Sequence, residues 1–300
     1  MTFIGGSGFV GKSYIDAFNR GILKKFNIKK LNIICRNPNK IKIITQLRSK
    51  NVKIFKGDIG KIKKLPQSDI IIFSAESSNT RNYKNSKNVI EKHKKSIINF
   101  CELTRKNKKC KVLYISSGAV YRNKINNSDL AKYKNLYSYL KIFSEKKIRE
   151  LIKFNIKTSI ARCFSFVGPY LLQYEHYAIG NFINDGKNKK NITVKAKHQV
   201  IRSYMYSDDL VVWLTKIAIN SKISCPTYNV GSTYPVELGK LAKIIGKIFN
   251  KPVVMKRKNN KVDRYIPNIR KAKKELNLKI KYSLKEAIYS SIRNYDKIFK

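Results

Sequence analysis

The chain has 300 residues, with Lys+Arg 65 against Asp+Glu 18, a formal charge of +47 at pH 7, and 42% of it is hydrophobic. That apolar share excludes a disordered polycation and sets the expectation of one large or two intimately joined domains. No apolar run nears the roughly 18 residues that a membrane span needs. The start MTFIGGSG has no cationic stretch leading into an apolar one, so the expectation is a soluble, cytoplasmic chain without a signal peptide.

Through the first half, short β-rich runs alternate with longer helical patterns: MTFI, a helix through Tyr14 and Phe18, LNIIC, VKIF, DIIIFSA, a helix through Ile97, Ile98 and Phe100, then KVLYISS. Strands alternating with helices predict a doubly wound α/β fold on a parallel sheet. Ile70 to Phe73 is apolar without alternation, as in strands buried on both faces. After Thr158-Ser159-Ile160 the pattern loosens, with turns at Gly168-Pro169, Asp185-Gly186 and Cys225-Pro226. The expected organisation is a dinucleotide-binding domain over 1–163 and a smaller α+β substrate lobe over 164–300, with 208–232 returning to the first domain.

Gly5-Gly6-Ser7-Gly8-Phe9-Val10-Gly11 follows the first strand and opens a helical pattern. Glycine suits that place because the chain turns tightly, brings backbone against a pyrophosphate and packs the helix on the sheet, while the helix N-terminus offers unpaired N–H groups to the anion. The loop predicts a Rossmann-type sheet with NAD or NADP as cofactor, a flexible turn being the other reading. A site for NAD usually has an acid closing the second strand, but LNII is followed here by Cys35 and Arg36. Arg36 suits a 2′-phosphate, so the reading leans to NADP; stacking on adenine or facing solvent are its other uses. Asp58, directly after VKIF, accepts from the adenine amine or serves as a turn aspartate.

Tyr137 and Lys141 stand four apart, which on a helix means one face. A nearby ammonium favours the phenolate, as proton transfer at neutral pH requires. The pairing alone has little specificity, given 18 Tyr and many Lys. Upstream, Tyr114-Ile115-Ser116-Ser117-Gly118-Ala119-Val120-Tyr121 ends a strand with hydroxyl residues at the carboxyl edge of the sheet, where ligands bind. Ser117 is placed to hold a substrate oxygen while Tyr137 moves its proton. The five cysteines form no C-x-x-C pair and the three histidines no ligand spacing, so reduced thiols and no metal are expected.

The basic pairs and triplets are spread along the whole chain in neither a tail nor a stripe, and Lys outnumbers Arg about fourfold. Arg is the better base reader. The pattern is that of a solvated surface whose field attracts anionic substrates, and specific nucleic-acid or membrane binding is not expected.

The loop GGSGFVG, the strand end ISSGAVY, Tyr137 with Lys141, ARCFSFVGP from Ala161, RSYMYSDDL from Arg202 and YNVGS from Tyr228 stand in an order and spacing similar to the extended short-chain dehydrogenase/reductases. Among these the chain resembles the NAD-dependent epimerase/dehydratase family acting on nucleotide sugars, up to Asp263-Arg264-Tyr265. The resemblance implies hydride transfer between nicotinamide and a sugar carbon, with Tyr137 as acid/base, Lys141 on the nicotinamide ribose and Ser117 on the reacting oxygen. It adds Phe9, Val10, Ile59 and Ala75 to the cofactor contacts of Gly5, Gly8, Gly11, Arg36 and Asp58. For the substrate it implies Arg202, and less directly Arg264, on the diphosphate, with a surface salt bridge as the other use of Arg202. Ser165 stands where many relatives carry a substrate-binding asparagine, and His176 lies in the loop after Gly168-Pro169, within reach of a sugar. His93 falls near a family asparagine that helps hold an active-site water, and a surface histidine is an equal reading of it. In the sugar 4,6-dehydratases Asp-Glu follows the residue matching Ser117, whereas Gly118 and Ala119 stand here and neither moves a proton. That favours a 4-epimerase or 4-keto reductase over dehydration. The contrasting class is a non-catalytic dinucleotide- or nucleic-acid-binding protein on the same fold. Asp208 and Asp209 read as the N-cap of the helix that follows. Relatives pair through helices beside the tyrosine, so a homodimer is expected.

Overall fold

The computed structural model describes residues 1–42, 44, 51–76, 87–107, 109–122, 136–171, 177–255 and 259–299. In chain order the principal elements begin β1 (Thr2–Ile4), α1 (Phe9–Asn19), β2 (Leu31–Cys35), β3 (Val52–Lys56), β4 (Ile70–Phe73), α2 (Lys87–Arg105), β5 (Lys111–Ser117), α3 (Leu136–Glu150) and β6 (Lys157–Cys163). There follow β7 (Phe166–Val167), α4 (Ala178–Asn188), β8 (Ile192–Val194), β9 (Gln199–Arg202), β10 (Met205–Tyr206), α5 (Ser207–Ile219) and β11 (Thr227–Val230). The rest comprises β12 (Val236–Glu237), α6 (Leu238–Phe249), β13 (Val253–Met255), β14 (Val262–Tyr265), α7 (Arg270–Leu276) and α8 (Leu284–Phe299). The chain divides into two units, Met1–Cys163 with Val211–Val230, and Phe164–Leu210 with Gly231–Lys300.

The first unit is built on a seven-stranded sheet in the order β11-β6-β5-β4-β1-β2-β3, parallel at every pairing. Strand order reverses between β1 and β4, so the loops after these two strands leave the carboxyl edge in opposite directions and open a crevice there. Alternation along each strand divides the apolar residues between two faces. Ile4, Ile34, Ile71 and Phe73 pack with Ile97 and Phe100 of α2 and Ile148 of α3 in one buried cluster. On the other face the Phe3 ring lies 4.8 Å from that of Tyr14 on α1, whose hydroxyl is 3.1 Å from Thr215 Oγ1 on α5. Each fully buried Phe or Ile stabilises this doubly wound, Rossmann-type unit by about 1.5–3 kcal/mol.

The second unit has shorter sheets: β7 with β10, β8 with β13, and β12-β9-β14. α5 starts at Ser207, so Asp208 and Asp209 sit in its first turn and are not its N-cap. Their charge suits the positive end of the helix, and Asp209 Oδ2 accepts the backbone N–H groups of Lys281 at 2.9 Å and Tyr282 at 3.1 Å. Among the described residues, no helix is long and apolar enough to cross a membrane.

Candidate active site

The glycine loop leaves β1 at the strand-order reversal. Gly5 has φ +102°, and a Cβ there would stand 2.5 Å from the Ser74 carbonyl oxygen and 2.9 Å from Ala75 N, in the segment leaving β4. Gly11 lies against the loop itself, since a Cβ there would be 2.7 Å from the Gly5 oxygen. Gly8 differs, because a Cβ would meet only the Gly5 oxygen, at an ordinary 3.5 Å. Packing therefore demands glycine at Gly5 and Gly11, whereas at Gly8 it leaves exposed backbone with open space above it. Gly8 is also the N-cap of α1, with no side-chain cap and no acid in the first turn. The amides of Phe9, Val10 and Gly11 lie in that first turn, where helical N–H groups lack intrahelical partners. These features fit a dinucleotide pyrophosphate.

Around the loop, Arg36 directly follows β2 with its side chain exposed. Asp58 makes the turn aspartate's bond, accepting the Gly60 N–H at Oδ1 (2.9 Å). Ile59 is buried in the core, and its carbonyl accepts Asn99 Nδ2 at 2.7 Å. Ala75 packs partly buried beside that core.

Two of the bonds that tie the end of β5 to α3 flank Ser117. Ser138 Oγ donates to the Ala119 carbonyl at 3.0 Å, and Lys141 Nζ donates to the Ile115 carbonyl at 3.0 Å. Ser117 lies between those two anchor points on the strand side, with its Oγ accepting the Ala119 N–H at 3.1 Å. Half-buried Tyr137 immediately precedes Ser138 on the helix side. Its ring centroid is 5.8 Å from Lys141 Nζ. An ammonium and a phenol thus share one helix face, next to a serine at the carboxyl edge. The glycine loop after β1, the segment after β4 and Ser117 on β5 leave three neighbouring strands of one parallel sheet.

Sequence reasoning missed Glu76, which follows β4. Its side chain is 3% exposed, and Oε2 lies 2.5 Å from Lys141 Nζ. The same oxygen accepts the Tyr114 hydroxyl at 2.7 Å, while Oε1 accepts Ser144 Oγ at 3.0 Å and lies 3.2 Å from His93 Nε2. Burial alone would raise this carboxyl, but the charges of Lys141 and His93 and the bonds from Lys141 and Tyr114 hold it below its ordinary value. For His93, burial pushes the imidazole below its ordinary value and the Glu76 charge opposes that. The available signal was an acid placed at the carboxyl edge of a buried strand. His93 itself is buried and 2.8 Å from Ser144 Oγ, so it is no surface histidine.

Of the other residues read as substrate contacts, Arg202, Arg264 and Ser165 belong to the second unit. Arg202 at the end of β9 forks onto Asp263 of β14, with Nη2 2.7 Å from Oδ2 and Nη1 2.9 Å from the Asp263 carbonyl. The neighbouring Arg264 is exposed and Ser165 half-buried. His176 lies outside the described residues. Among those described, no group of three His, Cys, Asp or Glu could hold a metal ion, and all five cysteines are free and buried.

Residues 1–231 match the profile of the NAD dependent epimerase/dehydratase family. Over 82% of its length the chain is 28% identical to a dTDP-D-glucose 4,6-dehydratase of Dictyostelium discoideum, and it spans 61% of that protein. The fold is similar to that of a dTDP-glucose 4,6-dehydratase from Streptomyces venezuelae solved with NAD, at TM-score 0.80 and 17% identity over 99% of this chain and 96% of that one. It is equally similar to a UDP-glucose 4-epimerase from Thermotoga maritima solved with UDP-glucose, at TM-score 0.80 and 16% identity over all of both chains.

Proposed function

Because the chain belongs to the NAD-dependent epimerase/dehydratase family, we propose that it is an NAD(P)-dependent oxidoreductase of nucleotide sugars, acting at C4 of the hexose as a 4-epimerase or 4-keto reductase. The observation that carries this reading is the helix face of Tyr137 and Lys141, tied by Ser138 and Lys141 to the strand end that bears Ser117. The dinucleotide, when bound, supplies the hydride acceptor or donor. Gly5, Gly8, Phe9, Val10 and Gly11 would hold its pyrophosphate, with Ala75 beside them and Lys141 on the nicotinamide ribose. Arg36, exposed after β2, suits a 2′-phosphate and favours NADP. Asp58 keeps one oxygen for an adenine amine beyond its turn bond.

In the chemical step Ser117 Oγ bonds the sugar oxygen. Tyr137 Oη takes the proton of that oxygen as the sugar is oxidised and returns it on reduction. Lys141 Nζ stands 5.8 Å from the centre of the Tyr137 ring, on the same helix face. Arg202, Arg264, Ser165 and His176 remain candidates for the diphosphate and sugar. A homodimer is proposed on the resemblance alone.

Dehydration is the second reading, favoured by the likeness to the Dictyostelium protein. Eliminating water needs an acid and a base beside the sugar, and Gly118 and Ala119, next after Ser117, have no ionisable side chain. One assay separates the reductase from the epimerase. Offered 4-keto nucleotide sugars, a reductase consumes free NADPH, whereas an epimerase interconverts 4-epimers on dinucleotide retained through purification. Tyr137→Phe is expected to lose about 10²- to 10⁴-fold in turnover, with dinucleotide affinity kept by calorimetry. Unchanged turnover rejects the assignment.

A further inference from the structure

Glu76 is an acid buried against the amine to which the proposed chemistry gives a charge. Four elements converge on it: its own segment after β4, His93 from α2, Tyr114 from β5, and Lys141 with Ser144 from α3. An isolated buried ammonium is costly, and a carboxylate at hydrogen-bond distance offsets that cost while changing the field the ammonium projects. Beside Tyr137, a compensated Lys141 acts as one end of an ion pair, with a field that falls off faster than that of a lone charge.

His93 decides how far the compensation goes. Nε2 faces Glu76 Oε1 and Ser144 Oγ, and the ring is also bonded to the Leu140 backbone. With neutral imidazole, Glu76 and Lys141 sum to zero; with imidazolium the three sum to one positive charge beside the phenol. Among the described residues, the other ionisable groups acting on this cluster are Tyr114 from β5, Glu145 further along α3, and Cys163 at the end of β6 near Lys141. Burial raises both Tyr114 and the Cys163 thiol, so each stays neutral across the working pH range. Glu145 is engaged by Arg162.

We propose that Glu76 is a positioning residue that acts through Lys141, fixing the ammonium between the Ile115 carbonyl and the Tyr137 ring and, with His93, setting the net charge that the phenol experiences. This rests on the assignment of Tyr137 and Lys141 made above, yet the electrostatic coupling itself is measurable without cofactor or substrate.

With three histidines in the chain, the His93 ring signal can be assigned in NMR by its loss in His93→Asn and its titration followed in each variant. In Glu76→Gln the protonation midpoint of His93 is expected to fall by about one pH unit, because its counter-charge is gone. In Lys141→Met it is expected to rise by a similar amount, because a repelling charge is gone and Glu76 is no longer shared. In the activity assay, Glu76→Gln leaves an uncompensated ammonium that favours phenolate. The acid limb of kcat should therefore move to lower pH, with KM for the sugar nucleotide changed less than about twofold. Glu76→Asp, which keeps the charge, should leave the limb in place.

His93 midpoints equal within about 0.3 unit in folded parent, Glu76→Gln and Lys141→Met proteins overturn the proposal. Should Glu76→Gln lose its fold by circular dichroism, the Lys141→Met shift decides alone. If the NMR shifts appear while Tyr137→Phe keeps full turnover, the coupling stands and the assignment of Tyr137 fails. If Tyr137→Phe is inactive and the midpoints are fixed, only the role of Glu76 fails.

Discussion

Gly5 and Gly8 are the same residue serving opposite ends. At Gly5 a positive φ and the Ser74 carbonyl exclude a side chain, so Gly5→Ala is expected to destabilise the fold by about 1–3 kcal/mol, read as a lower urea midpoint. At Gly8 the protein has room for a methyl group, and what it would obstruct is the path of the proposed dinucleotide's phosphate. Gly8→Ala should keep the urea midpoint and weaken dinucleotide binding about tenfold, about 1.4 kcal/mol by calorimetry. The reverse pattern would assign Gly8 a structural role. The glycine spacing was legible in the sequence because loop chemistry is local. Glu76 was not, since its partners His93, Tyr114 and Lys141 come from α2, β5 and α3, and nothing in the segment after β4 signals that these side chains converge on it.

Between elements, the tie that holds the strand edge to α3 is ionic as well as hydrogen-bonded. Glu145 Oε1 accepts Ser116 Oγ at 2.6 Å and Arg162 Nε at 2.9 Å, and Oε2 accepts Arg162 Nη2 at 2.7 Å, linking α3, β5 and β6. The carboxylate side chain is 6% exposed. Glu145→Ala strands the guanidinium and is expected to cost about 3–5 kcal/mol in urea unfolding, whereas replacing both partners with apolar residues of similar volume should cost much less. Equal losses in the single and double variants would show that burial, and not unpaired charge, sets the cost. The strand Ile70–Phe73 could be read directly, because an apolar run that short between turns is of strand length and not helix length. The start of α5 was misread because Asp209 bonds Lys281 and Tyr282, more than 70 positions away, and not the helix that it begins. For Arg202 the resemblance implied a diphosphate clamp, and its bond to Asp263 comes from the pairing of β9 with β14, which no local motif signals.

At the scale of the molecule, a formal charge of +47 dominates the long-range field. For a doubly charged diphosphate substrate the expected effect is on encounter: kcat/KM should fall steadily as sodium chloride rises past about 0.1 M, where the screening length is about 10 Å, with kcat nearly constant. A kcat/KM insensitive to salt would mean that the charge performs no steering. The chain also leaves the first unit after Cys163 and re-enters it at Val211 to supply β11, which pairs with β6 from Thr227 to Val230. During synthesis on the ribosome, β6 therefore waits for some sixty residues of chain with its outer edge unpaired, since β11 has not yet been made. An open strand edge, with its unpaired N–H and C=O groups, is a template for association with other chains. The nascent protein is thus most exposed to misassembly during that interval, and the arrival of β11 ends it.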